Sequence, residues 1–287
     1  MSAGVIASIV APHTPRIGIE AKAPPFQAGL IAGLREMGQA VRALKPDLFV
    51  LLSAHWVSTF NWYVTSHDRH QGICIADEAP DLIPGVEYDR AGDPAFAKAL
   101  AGALNDNDVP CGQNDSPHFA WDYGTYVPLH YLDPESTVPV VAMPTVLCSD
   151  LAECRKVGNL VHQTAQTAGK RVVFVASCAM AHAVRRGPEL WPSEEHQALD
   201  RRFIELINAA DIAQLAQWVP EYCKAAVAEM GGRPILGMIG AAEAMAGMGA
   251  GEQIAGAGAT VTGHMFGEYA QSSGSGNAAL ALVSRAS

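Results

Sequence analysis

Two apolar runs in the first third of the chain each end on a histidine: Val5-Ile-Ala-Ser-Ile-Val-Ala-Pro-His13 and Leu48-Phe-Val-Leu-Leu-Ser-Ala-His55. A β-branched run that stops at a polar residue reads as a strand buried on both faces, and open α/β sheets bind their ligands at the ends of such strands. Two strands of this kind can bring two imidazoles to one metal ion. Pro12 has no N–H to give to a central ladder, so the first strand is expected to span residues 5–10 and to leave His13 just beyond its end.

Between the two runs, residues 26–44 carry helical periodicity that closes at Lys45-Pro46. The opening is therefore strand, helix, strand, the unit of a parallel sheet. Further helices are expected over 94–104, 151–168, 196–209 and 234–246, and strands over 62–65, 138–143, 171–176 and 260–264. The Gly/Ala-rich stretch 241–258 fits a helix followed by a tight loop rather than a linker. The Ser/Gly-rich stretch 272–276 reads as a loop before a last short element. At 287 residues and 49% hydrophobic, the chain can fill one large core. The expectation is an α/β fold, a single domain over 1–287 with a central mixed, mostly parallel sheet flanked by helices.

The net charge of -10 and the absence of a basic stripe among the 19 Lys and Arg argue against nucleic acid and leave a small molecule as the expected partner. No basic-then-apolar leader opens the chain, and no apolar run approaches the ~20 residues a bilayer span requires, so a soluble, cytoplasmic protein without a membrane partner is expected. The six cysteines include no Cys-x-x-Cys pair. They are expected to be reduced and structural rather than ligands of a zinc knuckle or a thioredoxin-type site.

A third strand, 171–177, runs out into Cys178-Ala-Met-Ala-His182 and places another histidine in the same context as His13 and His55. Two histidines and a carboxylate with open positions suit either a hydrolytic zinc site or a non-heme Fe(II) site, and spacing does not choose between them. The carboxylate should lie on a later element. Glu229, expected to end a helix at the Gly231-Gly232 break, is the candidate, with a solvated helix-end glutamate as its plain alternative. Residues 116–129, rich in aromatic rings, read as a rigid loop walling an aromatic pocket, with His118 and Tyr123 as polar handles. The plain alternative there is a buried aromatic loop. Arg16, Arg185 and Arg186 are either ordinary surface cations or groups for a substrate carboxylate.

Several motifs occur in one order: Ala11-Pro-His13-Thr-Pro15, Lys45-Pro-Asp47 through Ser53-Ala-His55-Trp56, Asp122-Tyr-Gly-Thr125, Ser177-Cys-Ala-Met-Ala-His182 and Ser273-Gly-Ser-Gly-Asn277. In this they resemble the class III extradiol dioxygenases, the superfamily of the protocatechuate 4,5-dioxygenase catalytic subunit. The similarity is greatest to the 3,4-dihydroxyphenylacetate 2,3-dioxygenase and 2-aminophenol 1,6-dioxygenase branches, and the stretch 220–230 resembles the segment that supplies their metal-binding glutamate.

The resemblance implies Fe(II) held by His13, His55 and Glu229, Glu243 being the fallback carboxylate, with His182 carrying protons beside it and Tyr123 and His118 near the substrate. It implies a small aromatic substrate and O2, with both oxygen atoms inserted as the ring of a catechol or 2-aminophenol opens, and a homodimer or larger homo-oligomer or a second related subunit. The chain departs from the pattern before His182, where Ala-Met-Ala replaces a Ser- or Thr-Leu-Ser sequence. A zinc-dependent hydrolase could use the same triad, and a non-catalytic subunit is the non-enzyme alternative, against which the retained histidines argue. The substrate, whether catechol, aminophenol or hydroxypyridone, and the choice of Fe or Mn stay open.

Overall fold

A computed structural model describes residues 3–249, 252–253 and 259–285. In chain order the strands and helices are β1 (Gly4–Ala11), α1 (Ala28–Ala43), β2 (Leu48–Ser58), β3 (Trp62–Thr65), β4 (Arg69–Ile73), β5 (Glu87–Ala91), α2 (Pro94–Asn105), β6 (Cys111–Asn114), α3 (Tyr123–Leu132), β7 (Val140–Val146), α4 (Leu151–Thr167), β8 (Arg171–Ser177), α5 (Glu194–Asn208), α6 (Ile212–Ala225), α7 (Arg233–Met245), β9 (Met248–Gly249), β10 (Glu252–Gln253), β11 (Val261–Ser272) and β12 (Ser275–Ser284). Six strands form the central sheet in the order β11-β12-β1-β8-β2-β7. The run β1-β8-β2-β7 is parallel, and β12 and β11 add an antiparallel hairpin at one edge. The fold is the mixed, mostly parallel α/β architecture the sequence predicts.

Strict alternation sends the side chains of the central strands into two cores. Leu48, Val50 and Leu52 of β2 join Val172, Phe174 and Ala176 of β8 under α2, α4, α5, α6 and α7. Phe49 and Leu51 join Val173 and Val175 beneath α1 and α3. A strand buried on both faces needs apolar residues at every position, which is why these runs are uninterrupted.

The register then decides where the polar ends fall. Ser177 of β8 pairs with Ala11 of β1 on one side and with Ser53 of β2 on the other. Three parallel strands thus end their regular ladder at one level, and His13, His55 and the 178–182 loop follow within a few residues.

Several elements differ from the sequence reading. β2 runs on to Ser58 through a register shift between Ser53 and Val57, so His55 lies in the irregular end of the strand rather than closing it. The 116–129 segment is not a loop throughout: Asp122 caps α3 by accepting from the Thr125 N–H, and a helix follows despite Pro128. No helix ends at Glu229, because α6 stops at Ala225 and Glu229 opens a short 3-10 turn, Glu229–Gly232. The strand expected over 260–264 is the 12-residue β11, and the short last element is the 10-residue β12. The Ser/Gly stretch between them is a two-residue hairpin turn, with Ser273 at φ 51° and Gly274 at φ 83°. Left-handed conformation at both central residues matches the twist of the flanking strands.

In the 241–258 stretch the helix ends at Met245 and a β9/β10 ribbon follows, while 250–251 and 254–258 lie outside the described residues. All six cysteines are free thiols. Among the described residues no helix is long and apolar enough to cross a membrane.

α4 and α7 pack against each other at closest range through glycine. A methyl group on Gly158 would collide with the carbonyl of Gly237, and one on Gly240 with the carbonyl of Arg155. Alanine is the better helix former by about 1 kcal/mol at most, whereas forcing volume into a filled contact costs about 1–3 kcal/mol. Gly158→Ala should therefore destabilise the protein by roughly 1–2 kcal/mol in urea denaturation. A stabilised variant would show that the two helices are not in backbone contact.

Candidate metal centre and adjoining cavity

Glu229 is the centre of the arrangement. Its carboxylate is 3% exposed. Oε2 accepts the Ala179 N–H at 2.5 Å. Oε1 faces three imidazoles: His13 Nε2 at 3.3 Å, His55 Nε2 at 3.4 Å and His182 Nε2 at 3.6 Å. Burial raises the pKa of such a carboxyl, but His13, His55 and His182 outweigh it and hold Glu229 well below the usual carboxylate range. The group is an anion surrounded by imidazoles.

The backbone that delivers it is strained. Val227 (φ 50°) and Met230 (φ 50°) flank Glu229 in the left-handed region, followed by Gly231 (φ 67°) and Gly232 (φ 80°). A β-branched residue at positive φ costs about 1–3 kcal/mol and persists only where its surroundings enforce it. Here the enforcement is visible: Ala228 bridges Ala181, the Glu229 N–H donates to the Met180 carbonyl, and the His182 N–H donates to the Val227 carbonyl. These contacts lace the turn to the loop after β8. Gly232 is required in addition because a Cβ there would overlap Cys223.

Both flanking imidazoles are fixed in one tautomer. Pro128 cannot donate to Gly124 in the helical pattern, so that carbonyl of α3 is free to accept the Ser177 hydroxyl, and it does. The Ser177 proton being committed, its oxygen can only accept from His13 Nδ1 at 3.0 Å. His55 Nδ1 lies 2.7 Å from Glu78 Oε1, an acceptor, and so also carries the proton. In the neutral form of each ring Nε2 is then left with a bare lone pair aimed at the Glu229 oxygen. Three lone-pair atoms facing one another repel unless a metal cation, or protons on the rings, lie between them.

A metal ion fits that requirement. One donor atom from each of His13, His55 and Glu229 lies within 4.8 Å of the other two. Ligand atoms bound about 2.1 Å from one ion at right angles stand about 3 Å apart, close to the Nε2···Oε1 separations. Around His55, burial lowers the pKa, but Glu229, Asp122 and Glu78 together carry it upward, so the field favours positive charge there. His182 is different: burial takes its pKa down, helped by His13 and His55 and opposed by Glu229.

Beside these residues is a cavity of about 180 Å³ that His13, His55, Tyr123 and His182 line, with Leu82 and Arg16 at its margin. A closed apolar cavity of roughly 150 Å³ accommodates benzene, so the space suits a single substituted ring. The Tyr123 ring lies 4.1 Å from that of His55. Burial raises its pKa, with Glu78 adding to the effect, so the phenol stays neutral.

Of the residues singled out from sequence, the structure brings together His13, His55, Glu229, His182, Tyr123 and Arg16. It does not bring Glu243, which is buried in an ion pair with Arg155 between α4 and α7. His118 is exposed on the loop before α3 and does not line the cavity. Arg185 and Arg186 are exposed as well.

Sequence reasoning missed Glu78 and the polar pair Ser53 and Asp122. The Ser53 hydroxyl donates to Asp122 at 2.7 Å while accepting the His55 N–H, and so ties β2 to the cap of α3. Glu78 lies 23 residues after His55 in an irregular acidic loop, where no periodicity marks it. Ser177 was present in the motif before His182 but had no partner that sequence could name.

The fold and donor set define the class first: an α/β protein with a potential His-His-Glu metal site at the carboxyl ends of parallel strands. The chain belongs to the LigB family, described as the catalytic LigB subunit of aromatic ring-opening dioxygenase, which matches residues 7–262. It is 22% identical over 202 residues to the 3,4-dihydroxyphenylacetate 2,3-dioxygenase of Escherichia coli, covering 68% of this chain and 73% of that one. To the 2-aminophenol 1,6-dioxygenase beta subunit of a Pseudomonas species it is 24% identical over 249 residues, covering 79% and 81%. The alpha subunit of that enzyme is 22% identical over 244 residues, covering 83% and 89%. The crystal structure of an uncharacterized Escherichia coli K12 protein shares the fold at a TM-score of 0.63 and 15% identity, covering 96% of this chain and 99% of that one.

Glu78 is exposed, so its replacement should leave the fold intact while freeing His55 Nδ1. Glu78→Ala is expected to weaken divalent-metal affinity by about 10- to 100-fold in calorimetric titration, the usual effect of losing the group that orients a ligating histidine. Unchanged affinity would reduce Glu78 to a surface residue.

Proposed function

We propose that this chain is a non-heme Fe(II)-dependent extradiol dioxygenase, a single catalytic domain that cleaves the ring of a catechol-type or 2-aminophenol-type aromatic with insertion of both atoms of O2. The observation that carries the reading is the convergence of His13, His55 and Glu229 on one point, with His182 3.6 Å from the same carboxylate oxygen beside a ring-sized cavity. The family and its dioxygenase relatives support it. When bound, Fe(II) would supply a Lewis-acidic, redox-active centre for a substrate with two adjacent ring donors and for O2.

The protein's own residues supply the rest. His13, His55 and Glu229 would hold the ion, with the cavity beside them. His182, on that side, takes the proton that the substrate hydroxyl sheds and returns it as the ring opens; an imidazole whose unperturbed pKa is about 6.5 suits both transfers. Tyr123 and Leu82 hold the ring in place and keep water from it, which is positioning rather than chemistry. No step is assigned to His118. The reading places the protein in the cytoplasm as a homodimer or larger homo-oligomer, or beside a second related subunit as the alpha and beta relatives suggest.

The test is anaerobic reconstitution with Fe(II), followed by O2 uptake and product spectra over a panel of catechols and aminophenols. Uptake with a ring-opened product is expected. Absence of uptake with every ring, in protein that has bound iron, would overturn the proposal. His182→Ala should keep its iron yet lose about 100-fold or more in turnover, as general acid–base residues do, whereas His13→Ala or His55→Ala should lose iron itself. Full turnover in the His182 variant would remove the role given to it.

A further inference from the structure

A second buried carboxylate stands behind the loop that carries His182. Asp200 of α5 is fully buried, and among the described residues no Lys or Arg pairs with it. Its partners are three donors from three parts of the chain. The Tyr222 hydroxyl of α6 donates to Oδ1 at 2.8 Å and the Tyr269 hydroxyl of β11 to Oδ2 at 2.6 Å. The Ala181 N–H donates to Oδ1 at 3.1 Å. Gly276 completes the enclosure, because a Cβ there would run into Asp200 and Tyr269. A carboxylate without a cation is costly to bury, and burial raises this one to about 6 while the tyrosines and the Ala181 N–H pull it back. A methylene or leucine would fill the space at lower cost, so the cluster calls for a reason beyond packing.

The reason lies in the loop. Consecutive N–H groups of residues 179–182 go to different acceptors: Ala179 to Glu229 Oε2, Met180 to the Gly276 carbonyl, Ala181 to Asp200 and His182 to the Val227 carbonyl. Glu229 and Val227 belong to the strained turn of the metal site, and Gly276 belongs to the start of β12. Asp200 is the one acceptor in this set supplied by a side chain from outside those two segments. It holds the residue immediately before His182, anchoring the loop to α5, α6 and β11 at once. Without it the Ala181 N–H is buried with no acceptor, a loss that would be relieved by moving the loop.

We infer that Asp200 is a positioning residue for His182, fixing the imidazole against Glu229 and the cavity through the Ala181 N–H. The inference rests on the reading of His182 as the proton carrier. Asp200 touches neither the metal ligands nor the cavity, so its loss should act on placement and leave metal binding alone.

The experiment compares full-length Asp200→Ala, Asp200→Asn and His182→Ala, with Tyr269→Phe as a milder variant should Asp200→Ala fail to fold. Hydrogen exchange of the 178–182 segment is measured in iron-free protein, and iron content, kcat and KM are measured after Fe(II) loading. In Asp200→Ala, exchange should rise by about tenfold or more, as expected for loss of a hydrogen bond to a charged group. Iron should bind at the wild-type stoichiometry, and kcat should fall about 10- to 100-fold with little change in KM, the effect of misplacing a reacting group. Asp200→Asn keeps the acceptor for Ala181 and can donate to Tyr269, so it should restore both protection and kcat. Tyr269→Phe should fall between the wild type and Asp200→Ala.

Wild-type kcat in a folded Asp200→Ala protein, or in Tyr269→Phe where the alanine variant does not fold, would overturn the inference provided that His182→Ala is impaired. An Asp200→Asn variant as slow as Asp200→Ala would overturn it too. An active His182→Ala would instead overturn the reading of His182 on which the inference stands.

Discussion

The interaction on which the rest of the site depends is the meeting of one buried carboxylate with the bare nitrogens of His13 and His55. Two polar chains outside the centre create it. Ser177 spends its proton on a carbonyl that Pro128 leaves free, and Glu78 accepts from His55, so in its neutral form neither ring presents an N–H to Glu229. A cluster of this kind satisfies itself only around a positive charge. The left-handed backbone on both sides of Glu229 shows what the fold gives up to bring the carboxylate there.

That meeting is set up by register. Because Ala11, Ser177 and Ser53 end their ladders abreast, the residues that follow each strand emerge into a common space at the carboxyl edge of the sheet. The helical layers hold the edge in place: α3 supplies Tyr123 and the Gly124 carbonyl from one side, while α6 and the turn after it supply Glu229 from the other. The β11/β12 hairpin closes the cavity, and Ser275 pairs with His182 itself. Stability and function are therefore coupled, in that the buried hydrogen bonds that order the 178–182 loop also order the proton carrier.

Much of this was legible in the sequence because it rests on local pattern. Uninterrupted apolar runs announced β1, β2 and β8, and their terminal polar residues announced the site. What failed was chemistry that depends on distant partners or on misleading composition. The rings, glycine and proline of 119–128 suggested a loop, but Asp122 as a cap and packing against the sheet overrode propensity and made α3. The segment before Glu229 looked helical through to the Gly-Gly break, yet the chain leaves the helix four residues earlier to pair Ala228 with Ala181, a contact invisible at a separation of 47 residues. Glu243 had the right chemistry but faces Arg155, and Glu78 and Asp200 gain their roles only from side chains that the topology brings to them.

The most direct measurement is anomalous diffraction at the iron edge from crystals grown and soaked with Fe(II) without oxygen. The account predicts one strong peak about 2.0–2.3 Å from His13 Nε2, His55 Nε2 and a Glu229 oxygen together, with His182 outside that distance. A peak elsewhere, or a metal held by His182 in place of one of the three, would contradict it.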